Sequence, residues 1–346
     1  MALTNYNRSP VLCRRLADSG AFTGQPFHLF DVGVSGGIDG HWRRFASDLR
    51  VWGFDPLVAE VERLNGQAKP GEFYEAAFVG SPEYREKYTH DDWWTVESRT
   101  NQSFGRTSAA WAQQFLQMDW TKEVYNHDAE VVFADRVVSL DSYCREQAID
   151  HVDFLKIDTD GSDFEVLDGS RGLLRSGGLL GLQVEAQFHG AVHSEANLFA
   201  NIDCLLRQNG FSLFDLDLWR YSRASLPRPF FYDIAGQTTQ GQIAWGEALY
   251  LRDLGDPIYE QKWPDFEVSI AAILKTIALF DMFNLQDCAV EVLLKYAGRL
   301  TEAGWNAEEL ADMVVPEVDG KRVGLKEFIA HCEGLVRQRR FKSVPG

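Results

Sequence analysis

The chain has 346 residues, 45% of them hydrophobic and 25% charged, which is the composition of a globular protein with a sizeable buried core. Its net charge of −17 at pH 7 argues against nucleic-acid partners and anionic lipid surfaces, because both bind clustered lysine and arginine. No segment approaches the roughly 18 apolar residues of a membrane span. The five cysteines are scattered, without metal or redox spacing, and the N-terminus lacks the apolar core of a signal peptide. We therefore expect a cytoplasmic protein with reduced cysteines.

The first predicted elements are a strand, a glycine-rich turn and a helix. Residues 1–25 are predicted to form a short helix and a polar loop, and a strand follows from His28. A helical pattern at 41–48 comes directly after the turn. Strand, glycine turn and helix open a nucleotide-binding βαβ unit, in which the helix N-terminus faces the ligand. The residues expected to contact the nucleotide here are Asp31, Gly33, Ser35, Gly36 and Gly37.

The turn favours one kind of nucleotide. Its spacing, Gly33-x-x-Gly36-Gly37, differs from the G-x-G-x-x-G pattern that cradles a diphosphate. Asp31, directly before the turn, would repel a diphosphate but would suit a cation. S-adenosylmethionine has a sulfonium, an ammonium and a ribose, and no phosphate. The pattern therefore favours this methyl donor over NAD, while a turn that binds nothing stays an open alternative.

A second strand at 51–55 ends in Asp55 and Pro56, and an acid at this position can accept hydrogen bonds from both ribose hydroxyls. A helix at 57–65 and a third strand at 72–80 follow. Residues 81–128 then interrupt the alternation with a segment rich in aromatic residues. Such an insertion either contacts the substrate or packs its own small core.

Strands and helices alternate again as far as Arg252. The strands are predicted at 130–134, 136–139, 152–158, 179–185, 211–217 and 248–252, and the helices at 143–149, 164–174 and 197–209. This alternation predicts an α/β fold with a mainly parallel sheet, whose ligands bind beyond the carboxyl ends of the strands. Acids stand at four of these ends: Asp31, Asp55, Asp158 and Glu185.

The pattern changes at about residue 257. Four helices are predicted without a strand between them, at 268–283, 285–300, 306–313 and 324–337. We therefore divide the chain into an N-terminal segment (1–25), an α/β domain (26–256) and a helical C-terminal region (257–346). The apolar faces of the last region are expected to pack on the α/β domain or on a second subunit, which would make the protein a homo-oligomer.

Two blocks of sequence resemble the FkbM family of S-adenosylmethionine-dependent methyltransferases. The more specific block is 155–167, where Lys156-Ile-Asp158 and Val166-Leu167 match the family's Lys-Ile-Asp and Val-Leu. The turn at Asp31 and Gly33 matches its first motif, although Val-Ser replaces the usual Ala-Asn. The resemblance covers about residues 28–190.

The resemblance implies a class I methyltransferase sheet, a Rossmann-like sheet of seven strands with the last one antiparallel. It implies O-methylation of a hydroxyl on a sugar, a glycan or a secondary metabolite, so the expected partner is a small-molecule or carbohydrate acceptor. Asp55-Pro56 matches the family's Glu-Pro, and Ala77 falls where a residue lines the adenine pocket.

An aliphatic hydroxyl is a poor nucleophile and needs a base or a metal. We predict His189 as the general base, because the ordinary pKa of histidine suits proton removal near neutral pH; a surface histidine is the open alternative. Asp158 and Glu185 are the other catalytic candidates, and Asp158 could orient the acceptor or the donor's ammonium. Asp158, Asp160 and Glu185 could instead hold a divalent metal through their oxygens.

Two other functions stay open. One is a nicotinamide-dependent oxidoreductase on a similar sheet, against which the missing G-x-G-x-x-G counts. The other is a non-catalytic methyltransferase-like module that binds a protein partner or a glycan.

Overall fold

The chain folds into two compact units. In the computed structural model, the residues described are 6–81, 132–159, 161–175, 178–189, 192–221, 237–238 and 241–338. The first unit lies within His28–Ile38 and Leu49–Arg252, and the second within Thr4–Phe27, Asp39–Asp48 and Asp253–Gly346. From residue 82 onward, the predicted aromatic-rich insertion lies outside the described residues. The three-part division at residues 25 and 256 stays a prediction.

The strands are named in chain order. They are β1 (Phe27–Val32), β2 (Leu49–Asp55), β3 (Glu72–Ala76), β4 (Phe78–Val79), β5 (Val137–Val138), β6 (Phe154–Ile157), β7 (Gly181–Gln187), β8 (Phe211–Tyr221), β9 (Gln237–Thr238) and β10 (Gln242–Arg252).

Eight of these strands form one sheet in the order β3-β2-β1-β6-β7-β10-β8-β9. The pairs β2–β3, β1–β6 and β6–β7 are parallel, and β10 runs antiparallel to both β7 and β8. This arrangement confirms the predicted Rossmann-like sheet with an antiparallel last strand. Among the described residues this sheet has eight strands rather than the predicted seven, because the two-residue β9 pairs with the end of β8. The predicted third strand is divided, since β4 leaves the large sheet and pairs with β5.

The α-helices are also named in chain order. They are α1 (Val11–Asp18), α2 (Val58–Asn65), α3 (Leu140–Gln147), α4 (Asp163–Asp168), α5 (Arg171–Arg175), α6 (Phe199–Gln208), α7 (Tyr259–Lys262), α8 (Ile270–Met282), α9 (Gln286–Lys295), α10 (Ala297–Glu302), α11 (Ala307–Asp312) and α12 (Leu325–Arg337). None of these helices in the described part of the chain is long and apolar enough to cross a bilayer.

The prediction of an α-helix directly after the glycine turn is wrong. Gly40–Asp48 is a 3₁₀ segment, interrupted at Ala46, whose φ of 51° is left-handed. Trp42 and Phe45 are both fully buried, and side chains three residues apart lie directly above one another on a 3₁₀ helix. The first α-helix after the turn is therefore α2.

The core of the first unit surrounds the central strands. Every residue of β7 is buried, which is expected for a strand covered on both faces. Leu182 and Val184 of this strand belong to a cluster of buried apolar residues that includes Phe30 of β1 and Leu155 of β6. Ser139 caps α3, with its hydroxyl oxygen accepting from the Ser142 N–H at 3.2 Å.

In the second unit, Asp281 of α8 is hydrogen-bonded to the N-terminal helix α1. Its carboxylate accepts from the backbone N–H groups of Leu12 and Cys13, at 2.7 and 3.1 Å. These donors lie in the first turn of α1, where N–H groups have no partner within the helix. The N-terminal helix and the C-terminal helices therefore belong to one packed unit.

Candidate active site

Gly33 fixes the end of β1 against the end of β6. Its φ of 84° is a backbone conformation that residues with a side chain rarely adopt. The N–H groups of Gly33 and Val34 donate to the carbonyl oxygen of Phe54, at 2.9 and 3.1 Å. A Cβ atom at position 33 would lie 1.8 Å from the backbone oxygen of Asp158. Only glycine fits here, and the turn holds the carboxyl ends of β1, β2 and β6 together.

The N–H of Gly36 is bonded to a carboxylate of the protein itself. It donates to Glu60 Oε1 at 2.8 Å, and Arg63 donates to both Glu60 oxygens at 2.6 and 2.7 Å. Burial raises the pKa of Glu60, but the hydrogen bonds from Arg63 and Gly36 bring it below its ordinary value. A phosphate at this turn would meet a charged carboxylate. Glu60, which the sequence did not identify, therefore supports the prediction that the turn does not cradle a diphosphate.

The other predicted residues of the turn differ in exposure. Ser35 and Gly36 are exposed, whereas Gly37 is half-buried. Gly37 has a φ of 91°, and a Cβ there would lie 3.3 Å from the side chain of Leu64. Ser35 is therefore the side chain of this turn that solvent or a ligand can reach.

Lys156 links the acids at the ends of β1 and β6. Its Nζ lies 3.5 Å from Asp31 Oδ1 and 3.5 Å from Asp158 Oδ2. Asp31 and Lys156 are 1% and 7% exposed, but the Asp158 side chain is 23% exposed. Burial raises the pKa of Asp158, yet the Lys156 ammonium and a hydrogen bond with Glu185 are among the influences that bring it well below its ordinary value. Asp158 is therefore a charged carboxylate that faces outward.

Lys156 is absent from the site residues predicted from the sequence. Side chains alternate along a strand, so Lys156 and Asp158 must share one face, and this alternation is the signal that identifies it. Asp31 and Lys156 are also direct partners in the β1–β6 register. Two carboxylates and one ammonium leave a net negative charge, which suits a cationic ligand.

Asp55 lies at the end of β2, as predicted, and is 4% exposed. Its Oδ1 accepts from the Leu57 N–H at 2.8 Å. The backbone oxygen of Asp55 accepts from the N–H of Ala77 at 3.1 Å, and the oxygen of Pro56 accepts from the N–H of Ala134 at 2.8 Å. The structure therefore brings the predicted ribose residue and the predicted adenine-pocket residue next to each other.

A row of acids continues across the antiparallel strands. Glu185 in β7 lies opposite Glu247 in β10, which lies opposite Asp217 in β8. The Gln183 amide donates to Glu247 Oε2 at 2.6 Å. Burial, followed by the charge of Asp158, raises the pKa of Glu247 to about 8. Glu247 is thus protonated at neutral pH, which reduces the repulsion within the row.

Asp163 holds the loop that follows β6. Its carboxylate accepts from the N–H groups of Thr159 and Gly161, at 3.1 and 3.2 Å, and from the Asn197 amide at 3.0 Å. Thr159 and Gly161 precede α4 and Asn197 follows it, so the Asp163 side chain ties the loop before α4 to the segment before α6. Burial and the charge of Asp158 raise the pKa of Asp163 to about 7, although the Thr159 and Asn197 hydrogen bonds lower it.

The predicted metal ligands are only partly described. Asp160 lies outside the described residues. Among the residues described, no group of three or more His, Cys, Asp or Glu side chains is arranged to hold a metal ion. Glu185 is one of the groups that lower the pKa of Asp158. The metal site stays a prediction.

His189 lies two residues beyond β7. Its Nε2 is 2.8 Å from the carbonyl oxygen of Ile243 and 2.9 Å from the amide nitrogen of Gln242. Within the described part of the chain, no hydrogen bond links His189 to Asp158 or Glu185. Four residues of extended strand separate its Cα from that of Glu185 by at most about 13 Å. His189 therefore lies at the same end of β7 as Glu185, and its hydrogen-bond partners among the residues described are on β10.

Residues 44–213 match a family model described as the methyltransferase FkbM domain. This part of the chain belongs to the FkbM methyltransferase family. The match spans the Asp55, Asp158 and Glu185 strand ends and agrees with the resemblance seen in the sequence. FkbM membership implies an S-adenosylmethionine-dependent methyltransferase.

Two solved structures are similar at low identity. A TehB-like SAM-dependent methyltransferase from Corynebacterium glutamicum ATCC 13032 Kitasato is 10% identical, with a TM-score of 0.27, over 70% of this chain and 87% of its own. The protein EvdMO1 is 8% identical, with a TM-score of 0.30, over 75% of this chain and 46% of its own. A comparison with curated proteins finds no match.

Gly33→Ala should destabilise the protein more than Gly36→Ala. Both glycines have nearly the same φ, 84° and 85°, so both variants carry a similar backbone strain of about 1–2 kcal/mol. Only position 33 adds a clash, with the Asp158 carbonyl, while position 36 has no atom within 4 Å. We expect an additional loss of about 1–3 kcal/mol for Gly33→Ala in urea unfolding. Equal losses in the two variants would contradict the close approach of β1 and β6.

Glu247→Gln should make stability less dependent on pH. The native pKa of Glu247 is about 8, while that of an unfolded glutamate is about 4.3. Its stabilising contribution is complete below the unfolded value and is lost as pH rises through the native one, by at most about 1.4 kcal/mol per pH unit. In urea unfolding between about pH 5 and 8, the variant should lose less stability than the wild type. The exposed acid Asp135, changed to Asn, is the control, and an unchanged slope in Glu247→Gln would refute the raised pKa.

Proposed function

We propose that this chain transfers the methyl group of S-adenosylmethionine to a hydroxyl of a sugar, a glycan or a secondary metabolite. The FkbM domain at 44–213 supports methyl transfer. The hydroxyl and the acceptor class are supported by the resemblance of the turn and of 155–167 to that family, and by the aromatic residues of 81–128, whose faces would suit a sugar ring.

The net negative charge around Lys156 is the observation that carries the choice of donor. Two carboxylates, Asp31 and Asp158, share this single ammonium at 3.5 Å, directly beside the turn at Gly33. A donor with a sulfonium and an ammonium is attracted by this charge, whereas a diphosphate is repelled. The occupied N–H of Gly36 also disfavours a diphosphate, which counts against the nicotinamide alternative.

The described residues fit the parts of this donor. Asp55 would accept hydrogen bonds from the ribose hydroxyls, and Ala77 would line the adenine pocket beside it. Asp31 and Asp158 would face the positive groups of the methionine part. When bound, S-adenosylmethionine supplies an electrophilic methyl group on a positively charged sulfur.

The remaining task of the chain is to position and deprotonate the acceptor. Methyl transfer is an in-line displacement, so holding the acceptor oxygen about 3 Å from the methyl carbon supplies much of the rate. His189 would take the proton of the hydroxyl as the new oxygen–carbon bond forms and the sulfur–methyl bond breaks, with S-adenosylhomocysteine as the leaving group. Asp158 and Glu185, on the strand ends between the turn and His189, orient the acceptor by accepting hydrogen bonds from its other hydroxyls.

Binding and transfer should be lost in different variants. Asp55→Ala should weaken the binding of S-adenosylmethionine and of its demethylated product by about 10- to 100-fold in isothermal titration, because charged hydrogen bonds are lost.

His189→Gln keeps a side-chain N–H that can donate to the Ile243 carbonyl but removes the basic nitrogen. It should bind the donor normally while the transfer of labelled methyl to a host glycan and metabolite extract falls by about 10²- to 10⁴-fold.

Matched variants control for indirect effects. Asp135→Ala, at an exposed position, should bind the donor like the wild type. His151→Gln, at the opposite end of β6, should transfer methyl groups normally. Absence of donor binding in the wild type would sink the proposal. Label that mild base releases from the products as methanol would indicate methyl esters and would disprove transfer to a hydroxyl.

A further inference from the structure

The two neighbours of His189 Nε2 determine which ring nitrogen carries the proton. The backbone oxygen of Ile243 lies 2.8 Å from Nε2, and a carbonyl oxygen can only accept a hydrogen bond. Nε2 must therefore carry hydrogen and donate it. In a neutral imidazole with hydrogen on Nε2, the lone pair is on Nδ1.

The Gln242 side chain is the second neighbour of the same nitrogen. With the amide nitrogen of Gln242 2.9 Å from Nε2, two N–H donors face each other. The amide oxygen of Gln242 is buried and has no hydrogen-bond partner among the residues described. Nitrogen and oxygen of an amide are exchanged by a half-turn of the group. That half-turn replaces the opposed donors by a hydrogen bond from His189 Nε2 to the Gln242 oxygen and gives the orphaned oxygen a partner.

We propose that Gln242 is a positioning residue for His189. Its side-chain oxygen and the Ile243 carbonyl both accept from Nε2–H, hold the imidazole in this tautomer and leave Nδ1 as the atom that takes the acceptor's proton. This inference rests on the proposed role of His189 as the base. It has a simple origin in the fold, because β10 runs antiparallel to β7 and its first residues pass beside the segment that follows Gln187.

Nitrogen NMR of the full-length protein labelled in histidine tests this assignment without donor or acceptor. At about pH 8, above the ordinary histidine pKa near 6.5, the two ring nitrogens of a neutral imidazole resonate far apart. His189→Gln identifies the signals by their loss. The wild type should show hydrogen on Nε2 of His189. Gln242→Leu should shift the tautomer ratio about fivefold toward hydrogen on Nδ1, because one of two acceptors is lost.

Gln242→Glu keeps an acceptor oxygen at this place and should restore the wild-type tautomer. Gln208→Leu, at an exposed position on α6, should leave the His189 signals unchanged. The rate of labelled methyl transfer should fall in Gln242→Leu in proportion to the fraction of His189 that loses hydrogen from Nε2, with donor affinity unchanged, and recover in Gln242→Glu.

Three results would overturn the proposal. Hydrogen on Nδ1 in the wild type, or an unchanged tautomer ratio in Gln242→Leu, would refute it while the base role of His189 still stood. The predicted tautomer together with normal methyl transfer by His189→Gln would instead refute the base role itself, and with it the positioning role of Gln242.

Discussion

The carbonyl group of Asp158 lies so close to Gly33 that a single added carbon would overlap it. This approach brings the ends of two parallel strands, β1 and β6, into direct contact, and the neighbouring side chains depend on it. Asp31, two residues before the glycine, thereby reaches the ammonium of Lys156, which also faces Asp158. The close approach that requires glycine at position 33 thus brings three charged side chains together at the carboxyl edge of the sheet, namely Asp31, Lys156 and Asp158.

The acids at this edge are stabilised in three different ways. Asp31 and Asp158 share the charge of Lys156. Glu60 is paired with Arg63. Glu247 keeps its proton, because burial and the charge of Asp158 raise its pKa to about 8. Together these arrangements let several carboxylates lie near one another while the edge remains negative, and a negative edge attracts the cationic methyl donor that the FkbM family implies.

Much of this edge could be predicted from the sequence, because strand ends are marked by apolar runs that stop at an acid. Asp31, Asp55 and Glu185 all lie in or at the end of a strand as expected. The segment 41–48 was predicted wrongly as an α-helix, since its pattern does not reveal the left-handed Ala46 that interrupts it. Glu60 could not be found, because its contact with Gly36 depends on how α2 packs on the turn. Long-range contacts of this kind leave no local signal.

A structure of the protein with S-adenosylhomocysteine bound would test the central claim most directly. The account predicts the ribose hydroxyls within hydrogen-bond distance of Asp55, the adenine beside Ala77 and the amino-acid part at the turn of Gly33, next to Asp31 and Asp158. The same experiment with NADH should show no ligand at this turn. S-adenosylhomocysteine bound away from the ends of β1 and β2, or the diphosphate of NADH lying on the Gly33–Gly37 turn, would contradict the account.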